Sequence, residues 1–200
     1  MVMVGVLLEA PKEAELRGLG VKDSKVLSAA NRKALIQGIK NIIKDYYLIV
    51  IPPQEIDAHV LSEDSNLNNL ELIKTAEIIN KLKPDVAYVD SPSNNLKAYT
   101  SSLKGLIKHP CKIVCEHKAD ATYPSVSAAS ILAKVRRDEE IEKIAKKIGI
   151  YFGSGYPSDP LTVDFLKKNY NKHPEIFRKS WSSYQRVSGE KKQKNLKDFV

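Results

Sequence analysis

The 200 residues suit one domain with a sizeable core and at most a small appendage. An apolar fraction of 42% beside 28% charged residues is ordinary for a globular chain, and no apolar run approaches the roughly 20 residues that span a bilayer. The net charge of +8 is uneven, with 16 Lys/Arg against 9 Asp/Glu in residues 134–200, which fits either a polyanionic partner or a solvated lysine-rich surface.

The opening run MVMVGVLL lacks the basic region and cleavage site of a signal peptide, and it reads as a strand over Met1–Leu8 buried on both faces. Pro11 to Gly20 reads as a charged connection, with Gly18 and Gly20 marking a turn before VKDSK. Ser28 can cap a helix running to about Lys44, with Leu35, Ile39, Ile42 and Ile43 as its inward stripe. Tyr46–Ile51 is β-branched and aromatic, hence a strand, and Pro52 and Pro53 stop it. The polar SEDSNLNNLE leads into a helix ending near Leu82, with Leu72, Ala76 and Ile79 on one face and Pro84 as its breaker. Asp85–Asp90 (DVAYVD) is a short strand and residues 91–95 a loop. Leu96, Tyr99, Leu103 and Leu106 mark the next helix, and CKIVCEH is the strand after it.

Cys111 and Cys115 fall on that strand, roughly 13 Å apart and too far to bridge. Reduced thiols of an intracellular, cytoplasmic chain are expected, and a single CxxxC is weak evidence for zinc. A long helix runs from Tyr123-Pro124 to Gly149, a good residue for its C-terminal turn, with Ile141, Ile144, Ala145 and Ile148 on one stripe. GSGYPSDP is a turn-rich loop, and Asp159-Pro160 opens a helix through about Tyr170. The last fifteen residues, RVSGEKKQKNLKDFV, read as a mobile basic tail. Alternating strands and helices predict an α/β domain with a helix-rich extension.

Asp90 ends an apolar strand, and ligands collect at the carboxyl ends of strands in open α/β sheets. Asp120 follows another strand and precedes a helix, so the two can converge. Converging carboxylates repel, which favours a divalent cation between them, and oxygen ligands suit Mg²⁺ or Mn²⁺. Each aspartate has a second reading, as a cap or turn residue. The small residues Ser125, Ser127, Ala128, Ala129 and Ser130 let a helix approach a ligand, or simply pack tightly. Lys134, Arg136 and Arg137 face phosphate or form a solvated helix face. Asn66, Asn68 and Asn69 line a polar edge or start a helix. Tyr156, between glycines and a proline, stacks on a base or sugar or covers the core, and Trp181 is a core or edge anchor.

Six segments taken in order resemble ribonuclease HII, the type 2 ribonuclease H family, in its archaeal form. They are GVKDSK (20–25), NLNNLE (66–71), YVDSP (88–92), EHKADATYPSVSAASILAKVRRD (116–138), GSGYPSDP (153–160) and RKSW (178–181). The long central segment is the specific one. The resemblance implies a ribonuclease H-like mixed five-stranded sheet flanked by helices, with a helical C-terminal extension. Residues 1–150 would be the catalytic domain, 151–187 the extension and 188–200 a flexible tail. It further implies an endonuclease that hydrolyses the RNA strand of RNA–DNA hybrids and nicks 5′ to ribonucleotides in DNA, acting as a monomer and not at a membrane. Four carboxylates in the family hold two Mg²⁺ or Mn²⁺ ions, one activating the attacking water and one stabilising the leaving 3′-oxygen. Asp90 and Asp120 match the third and fourth. Tyr156 matches the residue at the ribonucleotide–DNA junction, while Ser24 and Lys25 match residues beside the substrate groove.

Family members begin with a strand carrying GIDEAGRG, whose Asp-Glu pair supplies the first two carboxylates. Met1–Leu8 corresponds to the family's second strand, so the first, central strand is expected to be missing here. Two aspartates alone predict turnover lower by orders of magnitude. A start codon assigned too far downstream is the explanation favoured, ahead of a shortened paralogue or a fragment. The alternative functions are a non-catalytic hybrid-binding or folding-defective remnant, and a basic nucleic-acid-binding module.

Overall fold

The apolar run at the start of the chain is β1 (Val2–Leu7), paired antiparallel with β2 (Asp45–Val50) so that Val4 lies opposite Leu48. The computed structural model describes residues 1–21 and 27–189. These fall into two compact units, Met1–Ile51 with Asn66–Arg137 and Pro52–Ser65 with Asp138–Val200, the last including 190–200, which lie outside the described residues.

In the first unit both faces of β1 are covered, as a strand apolar at every position requires. Val4, Val6 and Leu8 pack against a cluster built on Leu16, Ile39, Ala128, Ile131 and Leu132. Gly5 faces the other way, so close to α4 (Leu67–Leu82) that a Cβ there would overlap Ile78 Cγ2. The strand's residues are nonetheless half-buried rather than fully buried, since β2 is their single sheet neighbour among the described residues. Two helices supply the cluster. α2 (Ala29–Ile42) is capped by Ser28, whose Oγ accepts the Asn31 N–H at 3.1 Å. α1 (Lys12–Gly18) occupies the stretch expected as a charged connection. Its one apolar anchor, Leu16, is fully buried, and Glu13, Glu15 and Arg17 suit its macrodipole.

The second strand pair is parallel: β3 (Val86–Asp90) lies beside β4 (Lys112–Glu116), with Asp90 in register with Glu116. Ala87 and Val89 turn inward onto α4 and onto α5 (Leu96–Leu106), where Tyr99 and Leu103 complete a second cluster. Cys111 and Cys115 pack at its margin as free thiols, and burial pushes both thiol pKa values up. Asn66 caps α4 by accepting the Asn69 N–H at 3.0 Å, which selects the helix-start reading of that asparagine. The helix-flanked α/β class with parallel and antiparallel pairing is the one expected. Among the described residues the strands number four in two pairs, in place of five in one sheet.

After β4 comes a single helical turn, α6 (Ala119–Thr122), entered through Lys118 in the left-handed region at φ 55°. The long α7 (Pro124–Ile148) follows and ends on Gly149 at φ 71°. In the second unit, α3 (Pro53–Val60) begins at the very proline expected only to stop β2, a residue suited to the first helical turn. Fully buried Ile56 anchors it. Asp57 of α3 accepts the backbone N–H groups of Lys179 at 2.8 Å and Ser180 at 2.9 Å, fixing the RKSW segment. α8 (Pro160–Asn169) starts where expected, and Phe165, Phe177 and Tyr184 form its aromatic core. Trp181 is 38% exposed with the Arg178 guanidinium 4.6 Å from its ring centroid, an edge position. α9 (Ser182–Ser188) takes in residues expected to begin the tail, because Tyr184 is buried and anchors them. The rest of that tail, 190–200, lies outside the described residues. No described helix is long and apolar enough to cross a membrane.

Candidate metal centre

Strand alternation places the first carboxylate. With Ala87 and Val89 buried, Val86, Tyr88 and Asp90 occupy the opposite face of β3, and Asp90 stands exposed at its carboxyl end. The second carboxylate is placed by α6, which folds back over that end. The Ala119 N–H donates to Asp90 Oδ1 at 3.3 Å, so the residue preceding Asp120 is tied directly to Asp90. Asp120 is therefore the next residue along from the N–H that Asp90 accepts.

Their surroundings differ. Asp120 is 5% exposed, and its Oδ1 is buried with no hydrogen-bond partner. An unsatisfied buried acceptor costs about 1–3 kcal/mol, more when charged. A cation is the natural remedy, so the donor set fits a hard divalent ion. Among the described residues no third His, Cys, Asp or Glu joins them in a metal-sized cluster.

Three residues not singled out from the sequence meet at the end of the β3–β4 pair. Tyr123 donates its hydroxyl to Glu116 Oε1 at 2.8 Å and stacks on Tyr88, with ring centroids 4.2 Å apart. The bond to Glu116 raises the Tyr123 pKa. Only the period-two alternation along β3 pointed to Tyr88, since it shares the face of Asp90.

The helix behind the site resolves two open readings. Ser125, Ser127 and Ala128 are buried in packing, and the Ser125 N–H at the start of α7 donates to Glu13 Oε2 at 3.1 Å. A carboxylate of the chain itself therefore occupies that helix terminus. Lys134, Arg136 and Arg137 are half-buried and engaged within the protein, not a free solvated face.

A family model described as Ribonuclease HII matches residues 1–184. The chain belongs to the ribonuclease HII family. The ribonuclease HII of Methanocella arvoryzae is 43% identical over 100% of this chain and 89% of its own length. The crystal structure of ribonuclease H2 from Pyrococcus horikoshii superposes with a TM-score of 0.81 at 36% identity, covering 95% of this chain and 98% of that one. The ribonuclease HII of Archaeoglobus fulgidus, solved in a PCNA complex, gives 0.82 at 38% identity over 99% and 92%. Membership makes the chain an endoribonuclease, a hydrolase, and the family's reaction is hydrolysis of the RNA strand of RNA–DNA hybrids.

Of the other residues that the ribonuclease HII resemblance singles out, Ser24 and Lys25 lie outside the described residues. Tyr156 belongs to the second unit and is 45% exposed. Its loop is tightly knitted. Gly153 and Gly155 adopt φ of 79° and 73°, the Ser154 N–H donates to Asp159 Oδ2 at 2.6 Å, and the Gly155 N–H donates to Thr162 Oγ1 at 2.9 Å. The Asp159 carboxyl also accepts the Leu161 N–H, and these bonds, Ser154's first, hold its pKa below the usual carboxylate range.

Proposed function

We propose that this chain hydrolyses the RNA strand of RNA–DNA hybrids and nicks 5′ to ribonucleotides in DNA by two-metal-ion catalysis, with Asp90 and Asp120 as metal ligands. The observation that carries the reading is the buried, unpartnered Asp120 Oδ1 beside a carboxylate tethered to the neighbouring residue. A bound pair of Mg²⁺ or Mn²⁺ ions would supply an activated water and charge stabilisation at the leaving 3′-oxygen. The chain's own contribution is to hold two carboxylates at the mouth of one strand pair despite their repulsion. Tyr156, exposed on its hydrogen-bonded loop, offers a ring for stacking at the ribonucleotide, whose 2′-hydroxyl distinguishes it from DNA. Ser24 and Lys25 are assigned to the substrate groove.

Two aspartates hold a pair of dications weakly, since such ions take six or more oxygen ligands. The alternative reading is a non-catalytic hybrid-binding form. Residues 1–150 are assigned the catalysis and 151–187 the extension. The setting is a cytoplasmic monomer, and the PCNA complex of the Archaeoglobus fulgidus relative supports PCNA as a partner, testable by co-elution in gel filtration.

A duplex with one embedded ribonucleotide, incubated with the chain and Mn²⁺, separates the readings. Cleavage 5′ to the ribonucleotide, abolished by EDTA and by Asp120→Asn, is the expected result. Hybrid binding without cleavage selects the alternative, and equal affinity for plain DNA rejects both.

A further inference from the structure

Bringing two carboxylates together is unfavourable before any cation arrives, so some other contact must hold them. α6 cannot do so by itself: it is one turn of four residues, entered through a left-handed lysine. A single turn fixes several dihedrals for very few hydrogen bonds. Its tie to β3 through Asp90 Oδ1 is long, at 3.3 Å, and uses one of the carboxylates in question.

The stronger grip lies at the end of the turn. Tyr123 follows α6 directly, and its N–H closes the turn on the Ala119 carbonyl at 2.9 Å. Its ring lies on Tyr88, two residues before Asp90 on the same strand face, with an interplanar angle of 26°. Its hydroxyl reaches Glu116, the last residue of β4 and the register partner of Asp90. One side chain therefore holds both strands, at the level where one aspartate leaves β3, from the residue that closes the turn carrying the other.

We infer that Tyr123 is a positioning residue for the metal centre: its stack on Tyr88 and its hydrogen bond to Glu116 hold α6, and with it Asp120, at a fixed separation from Asp90. The inference rests on the metal reading of the two aspartates. The role assigned to Tyr123 runs through Tyr88 and Glu116 and not through direct ligation. Its effect is to order the carboxylates in advance, so that a cation does not have to draw a loose turn onto the strand end.

The test uses the full chain stripped of metal, at a temperature where circular dichroism shows every variant folded. Mn²⁺ affinity is measured by electron paramagnetic resonance of the free ion, and Tm is measured in EDTA. Tyr123→Phe, which keeps the ring and loses the hydrogen bond, is expected to weaken Mn²⁺ binding by about two- to tenfold, the range set by one hydrogen bond. Glu116→Gln in the Tyr123→Phe background is expected to add nothing further. Tyr88→Leu, which removes the stack, is expected to weaken binding in the same direction. Asp120→Asn serves as the reference. If it leaves Mn²⁺ binding unchanged, the metal reading itself fails and the inference goes with it. If Asp120→Asn weakens binding while Tyr123→Phe binds as wild type, the inference alone is overturned. A lowered Tm with unaltered affinity would make Tyr123 a purely structural residue, which likewise overturns it.

Discussion

Asp159 accepts N–H groups from both Ser154 and Leu161, and so joins the glycine loop to the first turn of α8. The folded loop binds the ionised form, which lowers the pKa. The resulting stability is present above the unfolded carboxylate's value and is lost as pH falls through the lowered folded value. Asp159→Asn is therefore expected to lower Tm at neutral pH. The gap from wild type should close in acid, below about pH 4, in a Tm-versus-pH series. A side chain at Gly153 would overlap that same carboxylate in a left-handed backbone, so Gly153→Ala is expected to disturb the loop too. The readout is the KM for a single-ribonucleotide duplex, through Tyr156.

Elements announced by local chemistry formed where their caps stood. Ser28, Asn66 and Asp159 each accept the N–H predicted by their position before a helix. α1 and α3 were not legible, because seven or eight residues with one buried anchor each show no helical period. Their existence depends on what Leu16 and Ile56 meet. Leu16→Ala should cost about 2–5 kcal/mol in urea unfolding, the range for a buried leucine that leaves a cavity. The approach of α4 to β1 at Gly5 gives a second measure. Gly5→Ala is expected to cost about 1–3 kcal/mol by overpacking, with partial recovery when Ile78→Ala is added, as read by a double-mutant cycle.

For the molecule as a whole, a net charge of +8 concentrated after residue 133 supports electrostatic attraction to a polyanion. Hybrid affinity is expected to fall linearly on a logarithmic salt scale, as measured by fluorescence anisotropy, and a flat response would count against a charged interface. The carboxylate pair follows another law. On the proposed metal reading its divalent affinity should respond to Tyr123→Phe and scarcely to distal lysine substitutions.

By itself the sequence determined the α/β class, the strand ends, the capped helices and the placing of two aspartates after strands, because these follow from local rules: alternation, caps, and carboxylates after apolar runs. The long segment 116–138 carried the family by resemblance. Tertiary structure alone decided that Asp120 would be buried without a partner, that Glu13 would occupy the α7 terminus, and that Tyr123 would hold Tyr88 and Glu116. Those contacts join residues up to 112 positions apart. No periodicity encodes them, since each depends on two elements meeting in space.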